Sequence, residues 1–189
     1  MAPHTPTKPT KAELAAAAHK TVPDLMRPGL RVLFCGINPG LYTAAIGHHF
    51  GRPGNRFWPA LYGAGFTKRL LYPWEERELL DAGLGITNVV PRTTATAAEL
   101  GPDDYAAGAK RLTALVEKNR PKVLAVLGVG AYRAAFERKT AVLGLQENTI
   151  GQTHIWVLPN PSGLNANYQL VDLVRLFGEL RGWVGASSG

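Results

Sequence analysis

Four short apolar runs, each cut off by a loop rich in glycine, proline or asparagine, restrict this chain to one class of fold. The clearest is Val123-Leu124-Ala125-Val126-Leu127, introduced by Pro121 and closed by Gly128-Val129-Gly130. The others are Leu30-Arg31-Val32-Leu33-Phe34-Cys35, Gly85-Ile86-Thr87-Asn88-Val89-Val90 and His154-Ile155-Trp156-Val157-Leu158. Apolar runs this short, bounded by turn residues, read as buried strands. Between them the period changes to that of helices. Phe57, Trp58, Leu61 and Tyr62 keep helical spacing, residues 75–82 look helical, and a long helix runs from about 103 to 119. Pro102, Asp103 and Asp104 suit the start of that helix, because proline presets φ and acidic groups favour the positive end of the dipole. A helix follows near 130–138, and another from Tyr168 to about Arg181 puts Leu170, Leu173, Val174, Phe177 and Leu180 on one face. Alternating strands and helices imply a mainly parallel sheet covered on both sides. The expected fold is α/β, a three-layer α/β/α sandwich with a small central sheet of about four strands.

A chain of 189 residues is the size of one domain with a good core. Residues 1–12, rich in Pro, Thr and Lys, read as a disordered basic tail, and 13–189 as a single domain. Residues 12–20 are a short helix candidate, after which Pro23 and Pro28 interrupt the chain. No apolar stretch approaches the roughly 18 residues of a membrane span, and the N-terminus lacks a secretory core. The expected location is the cytoplasm. Cys35 is the only cysteine, so no internal disulfide forms, and its place in an apolar run makes it a small buried hydrophobe. The net charge of +7, from 21 basic and 14 acidic residues, favours a polyanionic partner.

Several familiar chemistries fail on spacing. Gly128-Val129-Gly130 lacks the third glycine of a dinucleotide fingerprint, since Arg occupies position 133. His48, His49 and His154 are not joined by Cys or carboxylate at ligand spacing, so neither metal nor cofactor is expected. Ser162 lies in Asn-Pro-Ser-Gly rather than on a nucleophile elbow.

Two loops remain, and each follows the carboxyl end of a strand, where open α/β sheets bind ligands. The first is Gly36-Ile37-Asn38-Pro39-Gly40, continuing through Gly47-His48-His49-Phe50 to Gly54-Asn55-Arg56-Phe57-Trp58. The second is Pro159-Asn160-Pro161-Ser162-Gly163-Leu164-Asn165. Each presents an asparagine beside a proline, and the pair adds an aromatic, Phe50, and a glycine-flanked apolar tip, Leu164. Taken singly, either loop could be a turn and nothing more.

Together the strings G-I-N-P-G, G-H-H-F-x-x-P-G-N-R-F-W, G-I-T-N-x-V-x-R-T-T and L-P-N-P-S-G-L resemble the mismatch-specific uracil/thymine DNA glycosylases, the Mug family of the uracil-DNA glycosylase superfamily. The resemblance covers about residues 30–180. It implies a monofunctional glycosylase of base excision repair that flips uracil, or thymine or etheno-cytosine, out of mispaired duplex and hydrolyses its N-glycosidic bond. In that family Asn38 would orient the attacking water. An amide is no strong base, so it would act by positioning, with the base departing through an oxocarbenium-like transition state. Phe50 would stack on the flipped base, backbone around Ile37 would read its edge, and Asn160 would donate to its developing charge. Gly163, Leu164 and Asn165 would form the wedge, with Leu164 filling the vacated space. Arg52, Asn55, Arg56, Arg92 and Ser162 are the expected phosphate contacts, with Arg56 equally readable as a surface residue opening a helix. The resemblance implies a monomer acting on nucleoid DNA. No lysine occupies either motif, which argues against a Schiff base.

Two positions depart from that pattern. Ala166 stands where relatives often have arginine, and Pro91 where they often have an acidic residue. The first leaves open a broader glycosylase that also acts on A:U pairs and single strands. The second leaves Asp81, Asp103 and Asp104 as candidate carboxylates. An Asn in place of an acid at position 38 leaves open a catalytically silent binder of damaged or mispaired DNA.

Overall fold

The computed structural model describes residues 7–187. The elements are helix α1 (Lys11–Ala16), strand β1 (Val32–Gly36), helices α2 (Leu41–Ile46), α3 (Phe57–Gly63) and α4 (Glu78–Asp81), strand β2 (Leu84–Asn88), helix α5 (Pro102–Asn119), strand β3 (Val123–Leu127), helix α6 (Val129–Phe136), strands β4 (Gly144–Ile150) and β5 (Thr153–Leu158), and helix α7 (Leu170–Ala186). The sheet has five strands in the order β2-β1-β3-β5-β4, all parallel except β4. That is one strand more than the four expected.

The expected strands are the buried ones. Residues of β1, β2 and β3 are inaccessible throughout, because helices cover both faces. Val32 and Phe34 point to one side, packing with Phe57, Trp58 and Phe177 of α3 and α7. Leu33 and Cys35 point to the other, with Leu112, Val116 and Tyr132 of α5 and α6. Cys35 is fully buried and its thiol pKa is pushed far up by desolvation, as a core hydrophobe requires.

The extra strand escapes a search for apolar runs. In Gly144–Ile150 half-buried and exposed positions alternate up to the buried Ile150, with Gln146, Glu147 and Asn148 at its centre. It pairs antiparallel with β5 at the edge of the sheet, where one face stays wet.

The N-terminal helix begins at Lys11, within the stretch read as tail. Thr10 and Glu13 cap it reciprocally, the Thr10 hydroxyl oxygen accepting from the Glu13 N–H and the Glu13 carboxylate from the Thr10 N–H. The remainder of that expected tail, residues 1–6, lies outside the described residues. The chain then crosses behind β2. Leu25 exchanges two backbone hydrogen bonds of 2.8 Å with Ile86. Among the described residues no helix is long and apolar enough to cross a membrane.

Strand order reverses around β1: β2 lies on one side and β3 on the other. Connections leaving the carboxyl ends therefore diverge there and open a crevice. Loops after β1, β2 and β5 rim it.

Candidate active site at the carboxyl edge of the sheet

The crevice is a cleft of about 290 Å³. Its walls bring together Ile37, Asn38, Phe50, Arg52, Asn55, Asn160, Ser162 and Leu164, drawn from two segments more than 100 residues apart. Asn88, His49 and Thr94 also line it.

Asn38 sits just beyond β1 with its amide orientation determined by its neighbours. Nδ2 donates to the Arg92 carbonyl at 2.9 Å and to Thr94 Oγ1 at 2.7 Å, with a longer contact of 3.2 Å to the Pro39 carbonyl. The Thr94 hydroxyl gives its own proton to the Thr96 carbonyl at 2.8 Å, so it can only accept from Asn38. A carbonyl on one side and a committed hydroxyl on the other demand the NH₂ group, which leaves Oδ1 as the free half of the amide.

Asn160, at the end of β5, is held the opposite way. Its Oδ1 accepts from the Ser162 N–H at 3.0 Å, an Asx turn that leaves Nδ2 available. The cleft thus presents an acceptor from one asparagine and a donor from the other.

Phe50 has a left-handed backbone, φ 51°. That conformation costs a non-glycine residue about 1–2 kcal/mol, and the surroundings impose it. The buried Glu76 carboxylate accepts from the His49 N–H at 2.8 Å and meets His48 Nδ1 at 3.1 Å. His49 Nε2 is 2.9 Å from the Pro23 carbonyl. One face of the Phe50 ring stacks on Phe57 at 4.1 Å, and Phe57 meets Phe34 of β1 edge-on at 5.4 Å. The aromatic at the cleft is therefore backed by the core. A Cβ on Gly36 would fall 2.6 Å from Asn88 Oδ1 and 3.3 Å from the Phe50 ring, so a side chain there would fill the cleft floor.

Of the three expected wedge residues, Leu164 protrudes. Leu164 is 75% exposed, at the tip of a loop whose Gly163 packs against the Gly54 carbonyl so closely that a Cβ would lie 2.5 Å from it. Asn165 is turned inward: its Nδ2 donates to the Asn160 carbonyl at 2.9 Å, and its Oδ1 accepts from the Asn167 N–H.

The expected phosphate contacts divide. Arg52, Asn55 and Ser162 line the cleft. The other two arginines are engaged elsewhere. Arg92 bonds Asp104 through Nε and Nη2, at 3.1 and 2.8 Å. Both Nη atoms of Arg56 donate to loop carbonyls, of Tyr168 at 2.7 Å and of Ser162 and Asn165 at 2.5 and 2.8 Å.

None of the candidate carboxylates reaches the cleft. Asp81 ends α4, ahead of β2, and so sits at the opposite edge of the sheet. Asp103 faces a groove between α5 and α6. Asp104 is held below the usual carboxylate range by the Arg92 guanidinium and then by the Gly101 N–H, and it caps α5. Among the described residues no Asp or Glu lines the cleft.

Asn88, His49 and Thr94 are the residues that reading for function overlooked. Asn88, 6% exposed, closes β2 as Asn38 follows β1, and a polar amide ending a buried strand was the available signal.

A mainly parallel sheet carries a polar cleft at its switch point, rimmed by a strained aromatic and an exposed leucine. Residues 23–180 match the Uracil DNA glycosylase superfamily. The chain belongs to that superfamily, which makes it a DNA glycosylase: a hydrolase of base excision repair whose partner is DNA.

Proposed function

We propose that the protein is a monofunctional glycosylase of the mismatch-specific Mug type, removing uracil, and with it thymine or etheno-cytosine, from mispaired duplex DNA. It acts as a monomer on cytoplasmic, nucleoid DNA. The observation that carries this reading is the opposed pair of asparagines in a cleft without a carboxylate.

Asn38 Oδ1 accepts a hydrogen bond from the attacking water and aims its oxygen at the anomeric carbon. No titrating base takes the proton early; the barrier falls mainly through departure of the base, and the water's proton passes to solvent once the new C–O bond has formed. Asn160 Nδ2 donates to the base carbonyl as negative charge builds there, a contribution that grows toward the transition state. Phe50, braced by Phe57, supplies the stacking face, worth about 1–3 kcal/mol. Backbone around Ile37 reads the base edge. Leu164 enters the duplex, with backbone groups near Gly163 and Asn165 facing the orphaned partner, and repays part of the cost of unstacking. Arg52, Asn55 and Ser162 hold phosphates at the rim. Turnover is slow, and bases that leave readily are preferred.

The test is excision from duplexes carrying G:U, G:T and A:U, and from single-stranded uracil DNA, followed by hot alkali. A mismatch enzyme cleaves G:U fastest. Equal rates on A:U and single strands would assign the broader specificity that Ala166 leaves open. An uncleaved strand at enzyme excess would contradict glycosylase activity and leave a damage binder.

A further inference from the structure

The wedge loop is tied to the opposite wall of the cleft by the hydrogen bonds of Arg56. Arg56 stands between Asn55 and the first turn of α3, on the segment that also bears Phe50 and Arg52. Its backbone N–H donates to the Pro161 carbonyl at 2.9 Å. Its Nη2 spans the Ser162 and Asn165 carbonyls, and Nη1 takes the Tyr168 carbonyl at 2.7 Å. These carbonyls bracket Gly163 and Leu164. The Nε is buried without a partner and the residue as a whole is half-buried, so the guanidinium is committed to these carbonyls rather than extended into solvent. Beside it, Gly163 lies on the Gly54 carbonyl. A planar fork with several donors is the group that can bind three carbonyls at once, and a lysine ammonium cannot reproduce that geometry.

We infer that Arg56 is a positioning residue that acts through Leu164: it clamps the wedge loop to the base-stacking loop, so that the leucine is presented in its inserting position before DNA arrives. Without the clamp the loop would have to be ordered at the moment of insertion, and side chains and loops immobilised on binding cost affinity. An exposed leucine gains little from the fold itself, so the loop's shape must come from such ties. The inference rests on the reading of Leu164 as the wedge, and it assigns Arg56 a task other than phosphate binding.

Two measurements decide it. The first is single-turnover excision of uracil from a G:U duplex across a series of NaCl concentrations, with wild type, R56A, R56K, L164A and the R56A/L164A double variant. Clamping predicts a half-saturating enzyme concentration raised about tenfold in R56A, an unchanged salt slope, no rescue by R56K, and at most about a twofold further loss when R56A is added to L164A. A salt slope lowered by about 1, or rescue by R56K, would make Arg56 a phosphate contact and overturn the clamp. Independent, multiplying effects of R56A and L164A would overturn it as well.

The second measurement needs no activity: amide hydrogen exchange of the free protein. In R56A, or in R56K should R56A not fold, residues 162–168 exchange faster while β3 and β5 keep their protection. Unchanged exchange in that loop overturns the clamp. Should the wild type excise nothing, the proposed function fails while loop exchange still decides the role of Arg56.

Discussion

Asn38 and Asn160 are chemically identical side chains at the ends of two parallel strands, and the fold leaves opposite halves of them free. At Asn38 the NH₂ is consumed by the Arg92 carbonyl and Thr94 Oγ1, so oxygen faces the cleft. At Asn160 the oxygen is consumed by the Ser162 N–H, so nitrogen does. The difference comes from the loops rather than from the residues. After β1 the neighbouring chain supplies acceptors, because the segment following β2 runs alongside, with Thr94 N–H bonded to the Pro39 carbonyl at 3.2 Å. After β5 the chain turns back on itself and offers a donor. One cleft thus acquires an acceptor and a donor, the pair that the proposed function assigns to the water and to the departing base.

That contrast can be broken at each end. Asn160→Asp keeps the oxygen that closes the turn, so the loop is preserved, while it exchanges the donor for a charged acceptor. Single-turnover excision should fall by about 10²–10³, as for loss of a donor to developing charge. An unchanged rate would show that the free nitrogen does nothing. Phe50→Ala removes the stacking face that Phe57 braces and should weaken productive capture roughly tenfold or more, visible in the half-saturating concentration rather than in the salt slope. Thr94→Val keeps the shape beside Asn38 and deletes one acceptor. A net hydrogen bond of about 1 kcal/mol predicts an excision rate lowered about fivefold. A larger loss would mean that the threonine touches water itself.

The smallest effect lies behind Asn38. Asp104 is held ionised by Arg92, whose carbonyl orients the Asn38 amide. A carboxylate with lowered pKa stabilises the fold above its unfolded value, and that contribution disappears as pH falls through the folded value. Asp104→Asn should therefore lower stability slightly at neutral pH and flatten its loss below about pH 4, so that the melting temperatures of variant and wild type converge in acid; thermal melting across pH checks this.

How far the sequence was readable depended on who supplies a residue's partners. Strands buried on both faces announce themselves as apolar runs, so β1, β2, β3 and β5 were legible. The edge strand β4 has water on one side and reads as polar chain. The placement of residues whose position is set locally, such as Asn38 after its strand and Leu164 at the tip of its loop, was legible too. Arg56 was not. A basic residue in a glycine-rich loop looks like a phosphate ligand until the carbonyls of residues 162, 165 and 168 are folded against it. Asp104 likewise looked free until its arginine was in place. His49 was weighed only as a metal ligand, because nothing in its spacing signals that Pro23 and Glu76 fix it beside the cleft.

The most direct measurement is the single-turnover excision rate of Asn38→Ala on a G:U duplex at saturating enzyme. If Asn38 Oδ1 positions the water, the rate falls by about a hundredfold or more, the cost of a misplaced reactant, while duplex binding stays near that of wild type. A wild-type rate would contradict that role and place activation of the water on another group.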